Sequence, residues 1–508
     1  MGASTPNTCD VLVVGSGTAG SSAAIEAARQ GARVAVASLG PTFSGSSFYG
    51  GTWGLGLIGP ANDAGADDLE RTICEVGGGA ADRHLVRALV EGVSPAIRWL
   101  ESLGVELRRP TDPSQRAYVP CFDHTTRSWH GLGRASLREC WRREFEGLGI
   151  VALPYTELLG LATWEGRVCG AQLFDHSSGQ TQSIACRAIV LAGGSLASLY
   201  ERSLSPKDSA GSVHGIALTH GCALVNAEFL QIMPGLVSPV PGIVVNEKAF
   251  RYSTLVMPAE LLEERSGYGP FTSRLPSHVI DLAIDAAGSD GFAIQYRLPE
   301  EPPEFVTTYF SWLKQAHGIR PTDPMRMALF AHASNGGIAI AQDTSCLGRP
   351  IGLFACGECA GGMHGADRIG GLASASALVF GRKAGVAAAR VAGRERSDAP
   401  VLQLEAPREA SPLTARLTAD LCRTMSAHAL VGRTEAGLTK ALGIIESLTQ
   451  ELQCSCMPST DSRAGAQTMR LTYQLKAATA MVAAMRERRE SRGSHHRADY
   501  PPAHSRVE

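Results

Sequence analysis

The segment His364-Gly-Ala-Asp-Arg-Ile-Gly-Gly371 holds the residues best suited to chemistry in this chain. Arg368 offers a planar, permanently charged fork that can grip a carboxylate through parallel hydrogen bonds. Gly370 and Gly371 carry no side chains beside it, so the main chain can lie close to a flat ligand. A second segment, His332-Ala-Ser-Asn-Gly-Gly337, repeats the arrangement. Its imidazole can add a charge-assisted bond to the same anion. Gly336 and Gly337 are expected to bring main chain near the same ligand. Alone, His332 would read as a satisfied core histidine; its glycine-rich neighbours favour ligand binding. His364 reads either as a further ligand or as a brace for its loop.

The elements that must position these groups begin at the other end of the chain. Asp10-Val-Leu-Val-Val14 is a short buried-strand pattern. It runs into Gly15-Ser-Gly-Thr-Ala-Gly20, then an alanine-rich helix to Gln30, a stop at Gly31, and a second strand over Arg33–Ala37. In this strand-turn-helix context the glycines have distinct duties. Gly15 makes the turn, Gly17 lets a pyrophosphate approach, and Gly20 lets helix and strand pack. Thr18 and Ala19 open the helix, whose N-terminus faces the phosphates. An acid that would hold ribose hydroxyls is expected at the end of the second strand. Ser38 stands there instead, either as a weaker ligand or as a turn residue.

Short alternating strands are expected over 151–186, with turns at Glu165-Gly166 and Ser178-Gly179. A buried strand over Arg187–Leu191 ends in Ala192-Gly193-Gly194. Residues 226–340 read as an inserted lobe. A strand over Gly352–Cys356 and a helix over Leu372–Gly393 return to the first domain. A charged linker, Arg394–Pro412, precedes helices near 413–430, 436–452 and 465–489. Ser494–Glu508 is polar and expected to be loosely held.

With 508 residues, 44% hydrophobic and 19% charged, the chain should form two or three folded domains. A net charge of −2 gives no reason to expect nucleic acid as a partner. No stretch suits a membrane span, and the N-terminus lacks the pattern of a secretory signal. Thirteen cysteines without regular spacing suggest reduced thiols and a cytoplasmic location. Cys356 and Cys359 have redox-motif spacing but read as small core residues, and no metal site is expected.

Taken together these motifs resemble the flavoprotein subunit family of succinate dehydrogenase, fumarate reductase and L-aspartate oxidase. The match runs nearly end to end. It includes the N-terminal glycines, Gly45-Ser-Ser-Phe-Tyr-Gly-Gly51, Ala192-Gly-Gly194, Glu228-Phe-Leu-Gln231, the His332 and Gly357-Glu358 segments, 364–371, and Glu490-Ser-Arg-Gly-Ser-His495. The resemblance implies an α/β fold. A Rossmann-like FAD-binding domain (1–230 and 340–395) would carry an inserted α+β capping domain (231–339) and a C-terminal helical domain (400–508). It implies FAD contacts from Ser46, Ser47, Gly50, Gly51, Glu358, Gly371 and Ser374, besides the glycine turns. It also implies a substrate carboxylate held by His332 and Arg368, with Arg274 of the capping lobe as proton donor. Arg265, Tyr268 and His278 are alternatives for that last role. Gly45 stands roughly where some relatives carry a histidine bonded to the flavin, so FAD is expected to be non-covalent.

Departures from the family pattern bear on the substrate. Ile232-Met233-Pro234-Gly235 replaces Phe-His-Pro-Thr, and Leu372-Ala373 replaces Asn-Ser. A Thr-Glu-Gly segment is not recognisable near Ser238–Val244. The glutamate expected to read an amino group has no counterpart near Cys121–His124. One carboxylate clamp survives and the other is lost, and Met233 makes that end apolar. The expected substrate is a small acid with one carboxylate and a less polar remainder, dehydrogenated at C–C or C–N or reduced as an enoate. The electron partner, whether oxygen, a nicotinamide or a redox protein, stays open, as does a homo-oligomer. Membership of an electron-transfer complex and a non-catalytic FAD-binding shell are the competing readings.

Overall fold

The computed structural model describes residues 6–114, 118–394, 408–409, 413–455, 457–458 and 461–502. Its central sheet has five parallel strands. In spatial order they are Leu353–Ala355, Ala188–Leu191, β1 (Val11–Val14), β2 (Val34–Ser38) and Val151–Pro154. β1 and the 188–191 strand are buried at every position. That burial explains their unbroken Val, Ile and Leu runs, because a parallel sheet is covered on both faces. The strand order runs outward from β1 in both directions. The crevice at the carboxyl ends of β1 and its 188–191 neighbour is therefore where such a sheet takes a ligand. Helix α1 (Thr18–Arg29) starts in that crevice and packs against the Leu372–Arg394 helix. Gly381 and Gly385 allow the approach: a Cβ there would stand 2.4 and 2.2 Å from the carbonyls of Ala19 and Ala23.

A second, antiparallel sheet takes the order Ile243–Val244, Leu230–Ser238, Met325–Ser334, Phe292–Ile294. Its register slips once inside the central pair: Gln231 faces Ala333, but Ile232 faces Ala331. His332 is the extra residue of that bulge. A bulge re-aims the side chain it carries, and here the imidazole lines the cavity described below. The 151–186 region forms the expected three-stranded meander: Thr156–Trp164, Arg167–Asp175, Gln180–Ala185.

Three helices, Leu413–Ala429, Glu435–Ser455 and Ser462–Glu487, close the chain. The linker expected over 394–412 falls mostly outside the described residues. One expectation fails at the tail. Ser494, His495, His496 and Arg497 are buried rather than loose. Buried arginines answer orphan carbonyls there: Arg433 donates to the carbonyls of Ala429 and Glu228 and to His495 Nδ1, and Arg497 pairs with Asp499 and Glu435. The tail also reaches the 366–368 loop. Ser494 donates twice to the Ala366 carbonyl, and Gly493 accepts two bonds from Ser273. No described helix is long and apolar enough to cross a membrane. The twelve described cysteines are free thiols.

Candidate active site

A cavity of about 340 Å³ runs from the β1–α1 turn to the 364–371 loop. At its first end lie Gly15, Gly17, Thr18 and Ala19, opposite Ala192, Gly193 and Gly194. Gly15 takes φ +107°, and a Cβ there would stand 2.2 Å from the Ala192 carbonyl oxygen. Gly20 lies outside the cavity, packed on Gly15, where a Cβ would meet the carbonyl oxygen at 1.9 Å. The N-cap of α1 is Gly17, which offers no capping side chain, so most first-turn amides keep their capacity for an anion. The Thr18 amide and hydroxyl donate to Ser47 Oγ at 3.0 and 2.8 Å, which fixes the 44–47 loop over the turn. Ser38 sits in a hydroxyl network: it accepts from Ser16 at 3.0 Å and reaches the Pro41 carbonyl at 3.2 Å.

At the other end, His332, His364, Arg368, Gln231, Met233, Cys121 and Glu247 line the same cavity. Arg368 donates to Gln231 Oε1. It forms no ion pair among the described residues. Burial lowers its pKa, with Glu358 pulling the other way. Burial, helped by the nearby Arg368 charge, pushes His332 down to about 3 and drives His364 well down too. Both imidazoles are therefore neutral at pH 7, and their buried Nδ1 atoms have no partner. An arginine with no ion pair among the described residues, beside two unsatisfied imidazole nitrogens, can accept a small anion. Cys121 Sγ donates to Glu247 Oε1 at 2.9 Å across 126 residues of chain. Burial, and then the Glu247 charge, raise the thiol pKa.

Most residues singled out from sequence lie on this cavity: Gly15, Gly17, Thr18, Ala19, Ser38, Ser46, Ser47, Ala192–Gly194, His332, Glu358, His364, Arg368, Gly371 and Ser374. Others do not. Gly50 is exposed, and Gly51 is packed where a Cβ would strike the Gly242 carbonyl at 2.2 Å; Tyr49, Thr52 and Gly54 line the wall instead. Gly336 and Gly337 serve strand packing, since a Cβ on either would collide with the carbonyls of Asn226 or Cys359. Arg274 is exposed and absent from the lining. The cause is local: Thr272 donates to Asp367 at 2.7 Å and Ser273 bonds to Gly493, which turns residue 274 outward. The alternatives fare no better. Arg265 is buried against Asp281 at 2.9 Å, and Tyr268 and His278 are buried outside the cavity. Sequence reasoning missed Glu247, Cys121 and Asp208. The signal for Glu247 was faint: Asn246 accepts a bond from the Lys248 amide and starts the 247–252 turn just past the 243–244 strand.

The FAD binding domain family matches residues 10–373, and the fumarate reductase flavoprotein C-terminal family matches 418–506. The chain is an FAD-dependent oxidoreductase of the L-aspartate oxidase and fumarate reductase family. It is 30% identical to L-aspartate oxidase of Halobacterium salinarum, with 97% of each chain covered. It is 27% identical to a CoM/CoB fumarate reductase subunit of Methanothermobacter marburgensis, covering 97% of this chain and 94% of that one. Among solved structures it resembles a chain of the Mycobacterium smegmatis Sdh1 complex in the apo form. There the TM-score is 0.81 and identity 25%, over 97% of this chain and 89% of that one.

The residues present fit the cofactor of this flavoprotein family. At Gly15, Gly193 and Gly194 the cradle has no room for side chains: a Cβ would meet the Ala192 carbonyl oxygen at 2.2 Å, Val213 at 2.6 Å or Ser209 Oγ at 2.2 Å. The cofactor is therefore expected against the glycine turn, the 44–47 loop, Ser38 and Glu358.

Beside Arg368, Asp367 is buried and accepts from Thr272, and burial raises its pKa from 3.8 to about 7. The unfolded chain ionises this group near pH 4, the folded protein only near 7. Between those values the folded state binds more protons, so this carboxyl takes away up to ~4 kcal/mol of stability as pH rises, with no further loss above 7. Histidines with lowered pKa act oppositely as pH falls, and they cancel when a variant is compared with the wild type. Asp367→Asn is therefore expected to gain stability over the wild type at pH 8 relative to pH 5. Urea midpoints at both pH values measure this, and parallel profiles would refute it.

Proposed function

We propose that this enzyme passes a hydride between FAD and the carbon next to the carboxylate of a small monocarboxylic or amino acid, forming or saturating a C–C or C–N double bond. Bound FAD supplies the two-electron chemistry. Arg368 and His332 hold the carboxylate, which fixes the position of the neighbouring carbon for the transfer. Binding an anion there gives Arg368 its missing counter-ion and favours proton uptake by His332. His364 braces or extends this grip. Glu247, hydrogen-bonded by Cys121, is the cavity's candidate for exchanging the second proton; Arg274 would need the 272–274 segment to turn inward. We read 231–339 as a lobe closing over the cavity and 400–508 as its helical support. The observation that carries the reading is a single cavity joining the glycine cradle to an unpaired arginine and two partnerless imidazoles.

Met233 lines the same cavity as Arg368 and His332. A carboxylate buried against it would be costly. The direction follows from an anaerobic experiment. Saturated acids, amino acids and dicarboxylates are added to the holoenzyme and bleaching of the flavin absorbance is followed. Enoates are then tested for reoxidation of the reduced enzyme. Bleaching by monocarboxylates is the expected result, and fastest turnover with succinate or aspartate would refute the single-carboxylate reading. FAD is non-covalent in this reading, because Gly45 offers no side chain for attachment. Acid precipitation should leave a colourless pellet.

A further inference from the structure

Behind the carboxylate end lies a second chamber of about 370 Å³. Cys121, Glu247, Gly370 and Gly371 belong to the walls of both cavities, so the two adjoin. Four aromatic rings form the far side. Trp53 meets Phe305 edge-on with centroids 4.5 Å apart, and Tyr118 faces Trp129 at 5.3 Å and Phe305 at 6.0 Å. Two of the chain's six tryptophans are spent here. Rings set edge to face around a gap favour a further aromatic ring, whose edges and faces they complement.

The charged groups of this chamber are already engaged. The Arg108 guanidinium lies 4.8 Å from the Trp129 ring centre and 3.9 Å from Glu304, and Lys248 Nζ donates to the Val119 carbonyl at 3.0 Å. We propose that it holds the aromatic remainder of the acid whose carboxylate Arg368 and His332 grip, so that the substrate is an aryl-substituted monocarboxylate with a short acid chain. This rests on the carboxylate site proposed above and adds the identity of the other end.

The test titrates holoenzyme with propionate, 3-phenylpropionate and succinate, reading the perturbation of flavin absorbance. 3-Phenylpropionate is expected to bind roughly thirtyfold tighter than propionate, the factor that burying one phenyl ring corresponds to. Two variants then change the chamber in opposite senses. Trp53→Ala removes a ring. Thr308→Phe fills space, Thr308 being a lining residue on the Glu304–His317 helix. Both should reduce the ratio of phenylpropionate to propionate affinity by roughly fivefold or more. If one variant fails to fold, the other still decides. Equal binding of the two monocarboxylates, tighter binding of succinate, or a ratio unmoved by either variant overturns the inference while leaving the carboxylate site standing. If no acid perturbs the flavin, the carboxylate site itself fails, and this inference with it.

Discussion

Replacing Arg368 by alanine is expected to lower the rate of flavin reduction by substrate, expressed as kcat/KM, by about a thousandfold. The size follows from the geometry. Arg368 is the cation of the anion end that has no ion-pair partner, and its contact within the protein is a neutral amide, Gln231. Its loss leaves a carboxylate facing two imidazoles that burial keeps uncharged. They cannot replace the charge without first taking up a proton. Arg368→Lys should recover little, because an ammonium group is a point charge and cannot form the planar two-bond fork. The phosphate end of the cavity is remote from residue 368, so the purified variant should keep its yellow colour. Stopped-flow reduction under anaerobic conditions measures the effect. A loss below tenfold would show that the carboxylate is held elsewhere.

Gly20→Ala is expected to yield protein without cofactor and with a thermal midpoint far below that of the wild type. A methyl group at this position would lie 1.9 Å from the Gly15 carbonyl oxygen and 3.2 Å from Ala192 Cβ. The obstacle is backbone, so relief requires α1 to move away from the turn that cradles the phosphates. Overpacking of this kind costs at least ~3 kcal/mol. Gly17→Ala is the informative contrast: its Cβ would meet Ser47 Oγ at 3.4 Å, an ordinary contact. That variant should fold and lose only affinity for FAD. The ratio of flavin to protein absorbance, read beside thermal melting, separates the two outcomes. A yellow, stable Gly20→Ala protein would refute the packing argument.

What could be read from the residues tracks how local each feature is. The β1–α1–β2 unit is legible because its strand, turn and helix follow one another within about thirty residues and each glycine has its own steric reason. The three closing helices and the 156–185 meander are legible on the same ground. His332 and Arg368 stand out through neighbouring glycines, yet the glycines after His332 do something else: they let strands touch. What aims His332 is a one-residue slip against Gln231, which depends on a strand a hundred residues away. Glu247 and Cys121 are invisible in sequence because the pair joins residues 126 positions apart in the chain. Arg274 fails for the same reason in reverse. Its motif is plausible, but Asp367 and Gly493 decide which way the segment turns. The tail looks loose because polar residues usually are. It is buried because carbonyls at helix ends and loop corners need donors, and arginine supplies several at once.

The tail's grip on the substrate end makes this chain indivisible in practice. Ser494 holds the Ala366 carbonyl two residues before Arg368, Gly493 fixes Ser273, and Arg492 bonds the Gly78 carbonyl at 2.9 Å. The final stretch thus acts as a splint laid across three regions far apart in sequence. A fragment cut before residue 490 would retain the nucleotide cradle but leave the substrate-facing loop unbraced.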